Sequence, residues 1–511
     1  MSVRSVCGII SCIVAFVPWE ATAQSIPDLI FPDPLHEIVV APADSCDGEL
    51  PCGHILAHDD PLAGLILTEL GQPFHRSLVK VTQCLRNLTG DTAGPNVLYV
   101  SSEEGGYART GLAIIEGSTV HRFPKLHYVD LVLDSSRIAN GEMDIFSHEL
   151  GHVMMSIVWP DRWEGWTPKQ HVSMGITDDY VAFSEGWGIH FQQLAMDQVE
   201  RYSDLERETW NYTQDVRQLW HSHLDTRLRL EGVRHNDFIH RKVLPQVDTS
   251  GMSLTELIFL EHTSPLFDRC RLRSAQEMLA SEGVVATIFY RMATDTVLSR
   301  HYLDWTFYRP FLRHPAPTTL RPRDVFTPLE NIILKTARVW QAIRPTVDSS
   351  SAPMISFIKS WCDLYPEDRR ELLSLFLATT VAKTATDELG ILYERTAYTG
   401  TTGRIMDFRR QRAEYDSAFT RIRDDVLAGT RALDGNVGTQ LWVENHAFSI
   451  PATIFFPEPT QPLRVNLNTA NVFDLATFPG MTLDRAMKVV SARDSLGWFR
   501  SLEQARTAGW H

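Results

Sequence analysis

The sequence predicts an α+β fold: a small mixed sheet and one motif-bearing helix, then a largely helical lobe, then a small all-α domain at the C-terminus. Three segments are rich in Val, Ile, Leu and Tyr and are separated by Gly and Ser, which is typical of strands. They are 96–101, 111–117 and 127–133. Apolar residues at helical spacing follow directly and return through most of the chain to residue 348.

The first helical segment extends from about Asn140 to Val158. Asn140 can cap the start of a helix, and Pro160 cannot continue one. One face of this helix carries an apolar stripe made of Phe146, Leu150, Val153, Met154 and Ile157. His148 and His152 lie off the stripe, so we expect both imidazoles to face a cleft.

The central feature of this helix is the sequence His148-Glu149-Leu150-Gly151-His152. Residues four apart share a helix face, so His148 and His152 can reach one metal ion. Glu149 points to a different part of the helix surface, where it can act as general base on a water without being a ligand. The spacing therefore predicts a metal centre that has its own base.

A catalytic zinc ion normally takes three protein ligands, so a third must come from elsewhere in the chain. A metzincin would supply Gly and then His soon after His152, but Met155 and Val158 occupy those positions, which excludes that class. Asp178 or Asp179 could serve as in an aspzincin. A glutamate on a second helix, as in a gluzincin, is the remaining alternative.

A second segment, Phe183-Ser184-Glu185-Gly186-Trp187, resembles the third-ligand helix of secreted bacterial gluzincin-type metallopeptidases, distant relatives of thermolysin. The resemblance implies a zincin-like fold and one catalytic zinc ion (Zn2+) held by His148, His152 and Glu185. It also implies hydrolysis of peptide bonds by a metal-activated water, with Glu149 as the general base. Asp178 and Asp179 stay open as alternatives to Glu185.

The same resemblance implies a Tyr or His that stabilises the developing oxyanion, without showing which one. The candidates are Tyr180, His171, His190, Tyr290 and His301. Asp144, one turn before His148, could orient an imidazole. It could equally stabilise the helix start as a first-turn acid, and that interpretation is favoured.

The start of the chain has the pattern of a signal peptide over residues 1–23. A short basic start precedes an apolar run over 6–17 that is too short to span a bilayer, and Ala21-Thr22-Ala23 forms a small-x-small cleavage site. The mature protein would begin near Gln24 and be secreted or periplasmic, with no transmembrane anchor. In such an oxidising compartment Cys46 and Cys52 are the expected disulfide pair.

The net charge of −15, from 48 basic and 63 acidic residues, argues against general attraction to nucleic acid or anionic membranes. After the signal peptide we predict an N-terminal zincin subdomain with the metal site (24–200) and a helical subdomain (201–348). A helical extension (349–455) and a linker with a C-terminal module (456–511) follow. Within these parts, 274–292, 354–382 and 406–427 are predicted to be helical, and 314–328 to be a Pro-rich loop.

The C-terminal module resembles the helix-hairpin-helix of competence-type DNA-binding proteins. Four prolines from Pro451 to Pro462 predict a stiff linker before it. Thr469 can cap its first helix, Pro479-Gly480 can form the hairpin, Thr482 can cap the second helix, and Ser501 with Gln504 can form a capping box. Such hairpins bind phosphate through backbone N–H groups at a helix start.

Two observations favour a structural or docking role for this module over nucleic-acid binding. Thr482 replaces the second glycine of the usual hairpin, which hinders close approach of a phosphate. Residues 463–511 have six Lys or Arg and four Asp or Glu, too small a surplus for binding dominated by counterion release.

The sequence thus predicts a zinc metallopeptidase that acts on peptide or protein substrates. The alternative is an exported binding or scaffold protein whose gluzincin-like body is inactive, or a protein that binds DNA through its C-terminal module.

Overall fold

The computed structural model describes residues 29–30, 37–43, 50–57, 59–91, 95–102, 105–139, 141–162, 165–199, 202, 231–348, 351–451 and 460–510. The predicted signal peptide, Cys46 and Asn140 lie outside the described residues. The described chain is mixed α+β, as predicted. None of its helices has both the length and the apolar character needed to cross a membrane.

Five strands near the N-terminus form a small closed barrel in the order β1-β2-β4-β5-β3. The strands are β1 Glu37–Pro42, β2 Cys52–Ile55, β3 Asn96–Ser101, β4 Tyr107–Glu116 and β5 Thr119–Val132. Strand β1 pairs in parallel with β3, β2 with β4, and β3 with β5, whereas β1–β2 and β4–β5 are antiparallel. The predicted mixed sheet is therefore present, but it closes on itself.

Side chains alternate between two cores along these strands, because successive residues of a strand point to opposite faces. Val97 and Tyr99 of β3 belong to a small cluster confined to the barrel strands. Leu98 and Val100, the residues between them, join the main core that the helices share. Gly111 has φ +86° at the bulge in the β4–β5 pairing, a conformation that favours glycine.

The strand predictions differ in accuracy. Segment 96–101 is correct, whereas β4 begins before and β5 begins well before the predicted starts at 111 and 127. Strands β1 and β2 were not predicted. Strand β2 has four residues, and the strands with which β1 and β2 pair in parallel, β3 and β4, are distant in sequence.

Nineteen helices that follow or interrupt these strands have both ends within the described residues. They are α1 Pro61–Leu70, α2 Pro73–Thr89, α3 Ser135–Ala139, α4 Asp144–Val158, α5 Asp179–Gln198, α6 Leu254–Thr263, α7 Ala275–Leu279, α8 Glu282–Thr294, α9 Thr296–Arg300, α10 Trp305–Tyr308, α11 Pro322–Val325, α12 Pro328–Ile343, α13 Pro353–Leu364, α14 Arg369–Thr379, α15 Glu388–Thr401, α16 Ile405–Leu427, α17 Val472–Ala476, α18 Leu483–Leu496 and α19 Leu502–Thr507. Three-residue 3-10 turns occur at Asp237–Ile239, Arg309–Phe311 and Pro366–Asp368.

The motif helix is α4. It begins after Met143 rather than near residue 140, because the short helix α3 and a turn containing Gly141 (φ +83°) precede it. It ends at Val158 as predicted, and Trp159 leaves the helical conformation before Pro160. All five residues of the predicted stripe are buried in the main core.

The predicted single helix over 274–292 is wrong, because the chain breaks between α7 and α8 at Ala280 and Ser281. At this break, Ala280 and Ser281 make hydrogen bonds to other parts of the chain. The carbonyl of Ala280 accepts a hydrogen bond from the Thr177 N–H at 2.9 Å, and the Ser281 hydroxyl accepts one from Arg273 at 2.6 Å. Similarly, 354–382 forms two helices, α13 and α14, and the predicted loop 314–328 contains the short helix α11.

Two small antiparallel ribbons complete the fold. One pairs β6 His240–Lys242 with β7 Phe267–Leu272. The other pairs β8 Trp442–Pro451 with β9 Thr460–Asn466, so Pro451 and Pro462, predicted to lie in a linker, both lie in paired strands. The predicted division at residue 456 falls between these strands.

Strands β8 and β9 share one apolar core with the three C-terminal helices, so residues 441–510 are called the C-terminal module below. Pro479 and Gly480 form a turn in which the Met481 N–H bonds the Phe478 carbonyl at 3.0 Å and Gly480 has φ +76°. Thr482 caps α18 as predicted. Thr469 does not cap α17; Asn471 does, through a reciprocal capping box with Asp474.

At α19 the predicted capping box is only half formed. Ser501 accepts from the Gln504 N–H, but the Gln504 side chain accepts from Arg500 rather than from Ser501. Among the cysteines, Cys52 is disulfide-bonded, and its predicted partner Cys46 lies outside the described residues. Free thiols in the described chain are Cys84, Cys270 and Cys362.

Candidate metal centre

The site lies where α4 crosses α5, and two glycines allow the helices to approach closely. A Cβ atom at Gly151 would lie 2.9 Å from the Phe191 ring, and one at Gly188 would lie 2.8 Å from His148 Nε2. The Trp187 indole donates a hydrogen bond to the Gly151 carbonyl at 3.0 Å and ties the helices together. The crossing therefore places the face of α5 that carries Glu185 against the two histidines of α4.

Three side chains converge at this crossing. His148 Nε2 lies 3.1 Å from His152 Nε2, and Glu185 Oε2 lies 3.3 Å and 3.4 Å from those two nitrogens. Tetrahedral ligands at about 2.0–2.2 Å from a zinc ion would lie about 3.3–3.6 Å apart. The three atoms thus match the edges of one face of a coordination tetrahedron, and this group could hold a metal ion.

The electrostatics of the cluster suit a cation. Burial alone would raise the pKa of Glu185, but His171 and His152 with the hydrogen bonds from His148 and His152 hold that pKa well below its usual value. Burial also works against a charged His152, yet Glu185 raises the pKa of that imidazole. A carboxylate that stays ionised in a buried position attracts positive charge, from protons or from a metal.

The contacts around the three candidate ligands orient them. The hydroxyl of Ser184 lies 3.3 Å from His152 Nδ1, the ring nitrogen away from the cluster. Asp144 is buried at the start of α4, where its carboxylate accepts a hydrogen bond from Gln192 of α5 at 2.7 Å. It therefore links the two helices that carry the ligands.

Glu149 lies outside the ligand group, as its position on the helix predicts. Its carboxylate accepts a hydrogen bond from the backbone of Ala108 in β4. Burial, opposed by His152 and reinforced by Glu185, raises the pKa of Glu149 to about 7. Strand β4 of the barrel thus contacts the Glu149 side chain and fixes its position.

Asp178 and Asp179, the alternative third ligands, are engaged elsewhere. Asp178 is the N-cap of α5, and its two oxygens accept hydrogen bonds from four backbone N–H groups, those of Trp166, Thr167, Tyr180 and Val181. The carboxylate of Asp179 accepts a hydrogen bond from Gln440 at 3.0 Å. Neither belongs to the metal-binding group.

Of the five candidate oxyanion donors, His171 lies at the site, with Nδ1 3.5 Å from Glu185 Oε2 and its side chain 62% exposed. The other four bond away from the ligand group: Tyr180 with the Asp348 carbonyl, His190 with the Trp187 carbonyl, Tyr290 with Asp197 and His301 with Asp368. Burial among aromatic rings lowers the pKa of His190 to about 3. This imidazole is therefore uncharged near neutral pH, and it packs within the core.

Sequence reasoning missed three contributors to the site: Gly188, Ser184 and the backbone of Ala108. Ser184 directly precedes Glu185, and Gly188 directly follows the segment Phe183–Trp187, so their small size was a readable signal. The amide of Ala108 has no side-chain signature, and its position depends on how β4 packs against α4.

The chain matches no family model, no curated protein and no solved structure. Functional inference therefore rests on the site geometry and on the motif resemblance.

Proposed function

We propose that the protein is an exported zinc-dependent peptidase. The observation that carries the proposal is the convergence of His148, His152 and Glu185 at tetrahedral spacing. Two imidazoles and one carboxylate are the donor set that catalytic zinc takes in thermolysin-like sites, with the fourth position open. The signal-peptide pattern over residues 1–23 supports export.

A zinc ion held here would supply positive charge that polarises the substrate carbonyl and lowers the pKa of a bound water toward neutrality. Glu149 would accept a proton from the attacking water and return it to the leaving amine nitrogen. Its burial and its bond from the Ala108 amide hold the carboxylate in one place, so its basicity is directed at a single position.

His171 is the best-placed donor for the developing oxyanion. It lies on the exposed side of Glu185, which is the side from which a substrate can approach. A donor of this kind acts mainly in the transition state.

Replacing this donor tests the assignment. We expect His171→Ala to lower kcat by about 100-fold, the usual effect of losing one oxyanion donor, with zinc content and KM little changed. His235→Ala is a matched control, since His235 is 66% exposed and also faces a glutamate, Glu231 at 3.0 Å. A loss of zinc in His171→Ala would instead make this side chain a ligand.

The proposal as a whole is tested by metal analysis combined with cleavage mapping. The purified full-length protein should hold one zinc ion per chain and cleave members of a peptide library, as read by mass spectrometry. A chelator should abolish cleavage and added zinc should restore it. Bound zinc without any cleavage would favour the scaffold alternative, and a protein that binds no zinc would overturn the proposal.

A further inference from the structure

The segment between α4 and α5 connects the metal site to the C-terminal module. Residues 165–179, called the site segment here, include His171 and end at the N-cap and first residue of the helix that carries Glu185. Gly165 begins the segment with φ +97°, and a Cβ there would lie 2.7 Å from the Asp178 carboxylate. The segment thus folds tightly onto the start of the ligand helix.

A buried ion pair joins the site segment to the module. The ammonium of Lys169 lies 2.7 Å from Asp474 Oδ2, and these side chains are only 9% and 1% exposed. Asp474 belongs to the capping box of α17, so its position is set by the fold of the module. A buried pair of this kind holds its geometry strictly, because separating the two charges leaves each one desolvated and uncompensated.

Aromatic and polar contacts reinforce this pair on either side. Trp166 stacks on Trp442 of β8 with ring centroids 6.3 Å apart and planes at 22°, and Arg464 of β9 lies over the Trp166 ring at 5.4 Å. At the far end of the segment, Gln440, the residue directly before the module, donates a hydrogen bond to Asp179 at 3.0 Å. The module and the residue that leads into it therefore contact both ends of the segment.

The body of the protein, meaning the described residues before the C-terminal module, holds the middle of the segment. His262 Nε2 donates to the Gln170 carbonyl at 2.5 Å, and Arg273 donates to the Met174 carbonyl at 2.6 Å. His171 lies between these anchors, two residues after Lys169. The backbone that enters His171 is therefore fixed by two adjacent contacts, the Lys169 ion pair with the module and the hydrogen bond to the Gln170 carbonyl.

We propose that the C-terminal module is a positioning element of the metal site: by binding the site segment it fixes His171 beside Glu185 and steadies the N-terminus of α5. The inference rests on the proposed function for its catalytic consequence. Its structural part, that the module orders the segment, stands on the contacts alone. On this inference, the module that resembles a helix-hairpin-helix packs against another part of the same chain.

The test compares two variants of the full-length protein that alter the same interface. Asp474→Asn removes the charge that compensates Lys169, whereas Asp494→Asn breaks a module–body ion pair, with Arg241 at 2.8 Å, that does not involve the segment. We expect hydrogen–deuterium exchange in 165–179 to rise at least tenfold in Asp474→Asn and to stay unchanged in Asp494→Asn. We also expect kcat to fall at least tenfold in the first variant only, with zinc content retained.

Two further variants guard against a general loss of folding. Lys169→Met combined with Asp474→Asn removes both charges but keeps a side-chain oxygen that can cap α17, and it should restore slow exchange and kcat. Trp442→Leu removes the stacking contact with Trp166 and leaves no buried charge unpaired. This variant should therefore raise hydrogen–deuterium exchange in 165–179. Unchanged exchange in both Asp474→Asn and Trp442→Leu, or an equal rise in Asp494→Asn, would overturn the inference. If the wild-type protein cleaves no peptide, the proposed function fails. The exchange data would still test whether the module orders the site segment.

Discussion

Glu185→Ala is expected to lose zinc and all peptide hydrolysis. Glu185 Oε2 completes the ligand face with His148 and His152, and it brings the only negative charge into that group. Loss of a partner that only orients a ligand already costs about 10–100-fold in metal affinity, so loss of a ligand should cost more than about 100-fold. Competition with a chromogenic chelator measures this affinity directly.

Asp179→Asn is the matched control, because it removes a neighbouring carboxylate at the start of the same helix. Its zinc affinity should equal that of the wild type, since Asp179 bonds Gln440 rather than the ligand group. If Glu185→Ala keeps its zinc and Asp179→Asn loses it, the aspzincin-type alternative is correct. The pair of variants therefore decides between the two third ligands that the sequence alone left open.

Local periodicity predicts the motif helix well. The spacing of His148 and His152, the buried stripe on the other face and the stop at Pro160 are all properties of one contiguous segment. The segment 96–101 is likewise read from its own composition. Such features need no knowledge of the rest of the chain, which explains why the end of the helix and both bounds of the strand agree with the structure.

Features that depend on distant pairing are not visible in the sequence. Closure of the barrel requires β1 to pair with β3, although more than fifty residues separate them. At the break near Ala280, the Ala280 carbonyl accepts a hydrogen bond from the Thr177 N–H of the site segment, a contact distant in sequence. Pro451 and Pro462 have the composition of a linker, yet they lie in strands held by the core of the C-terminal module.

The site shows the same division. The three proposed ligands and the proposed base follow from motif spacing and resemblance, but the choice of His171 among five candidate donors does not. His171 reaches Glu185 because the site segment is fixed by Lys169 on the module side and by Gln170 on the body side. No spacing rule encodes those contacts, since each joins residues that are far apart in the chain.

Glu149→Gln separates catalysis from metal binding. Glutamine has nearly the same shape, and its amide oxygen can still accept the hydrogen bond from Ala108, so the fold of the site should be preserved. It cannot accept a proton from the attacking water. We therefore expect kcat to fall by about 10²–10⁴-fold, the usual contribution of a general base, while zinc content and KM stay near wild-type values.

Glu142→Gln provides the control for this substitution, since Glu142 lies just before the same helix and faces Arg137 at 3.6 Å, away from the ligand group. It should leave kcat unchanged. Full activity in Glu149→Gln would contradict the general-base mechanism. Loss of zinc in that variant would show that Glu149 ligates the metal. Retained zinc with lost turnover is the one combination that assigns proton transfer to this carboxylate, because the metal and its three ligands are then intact and only basicity has changed.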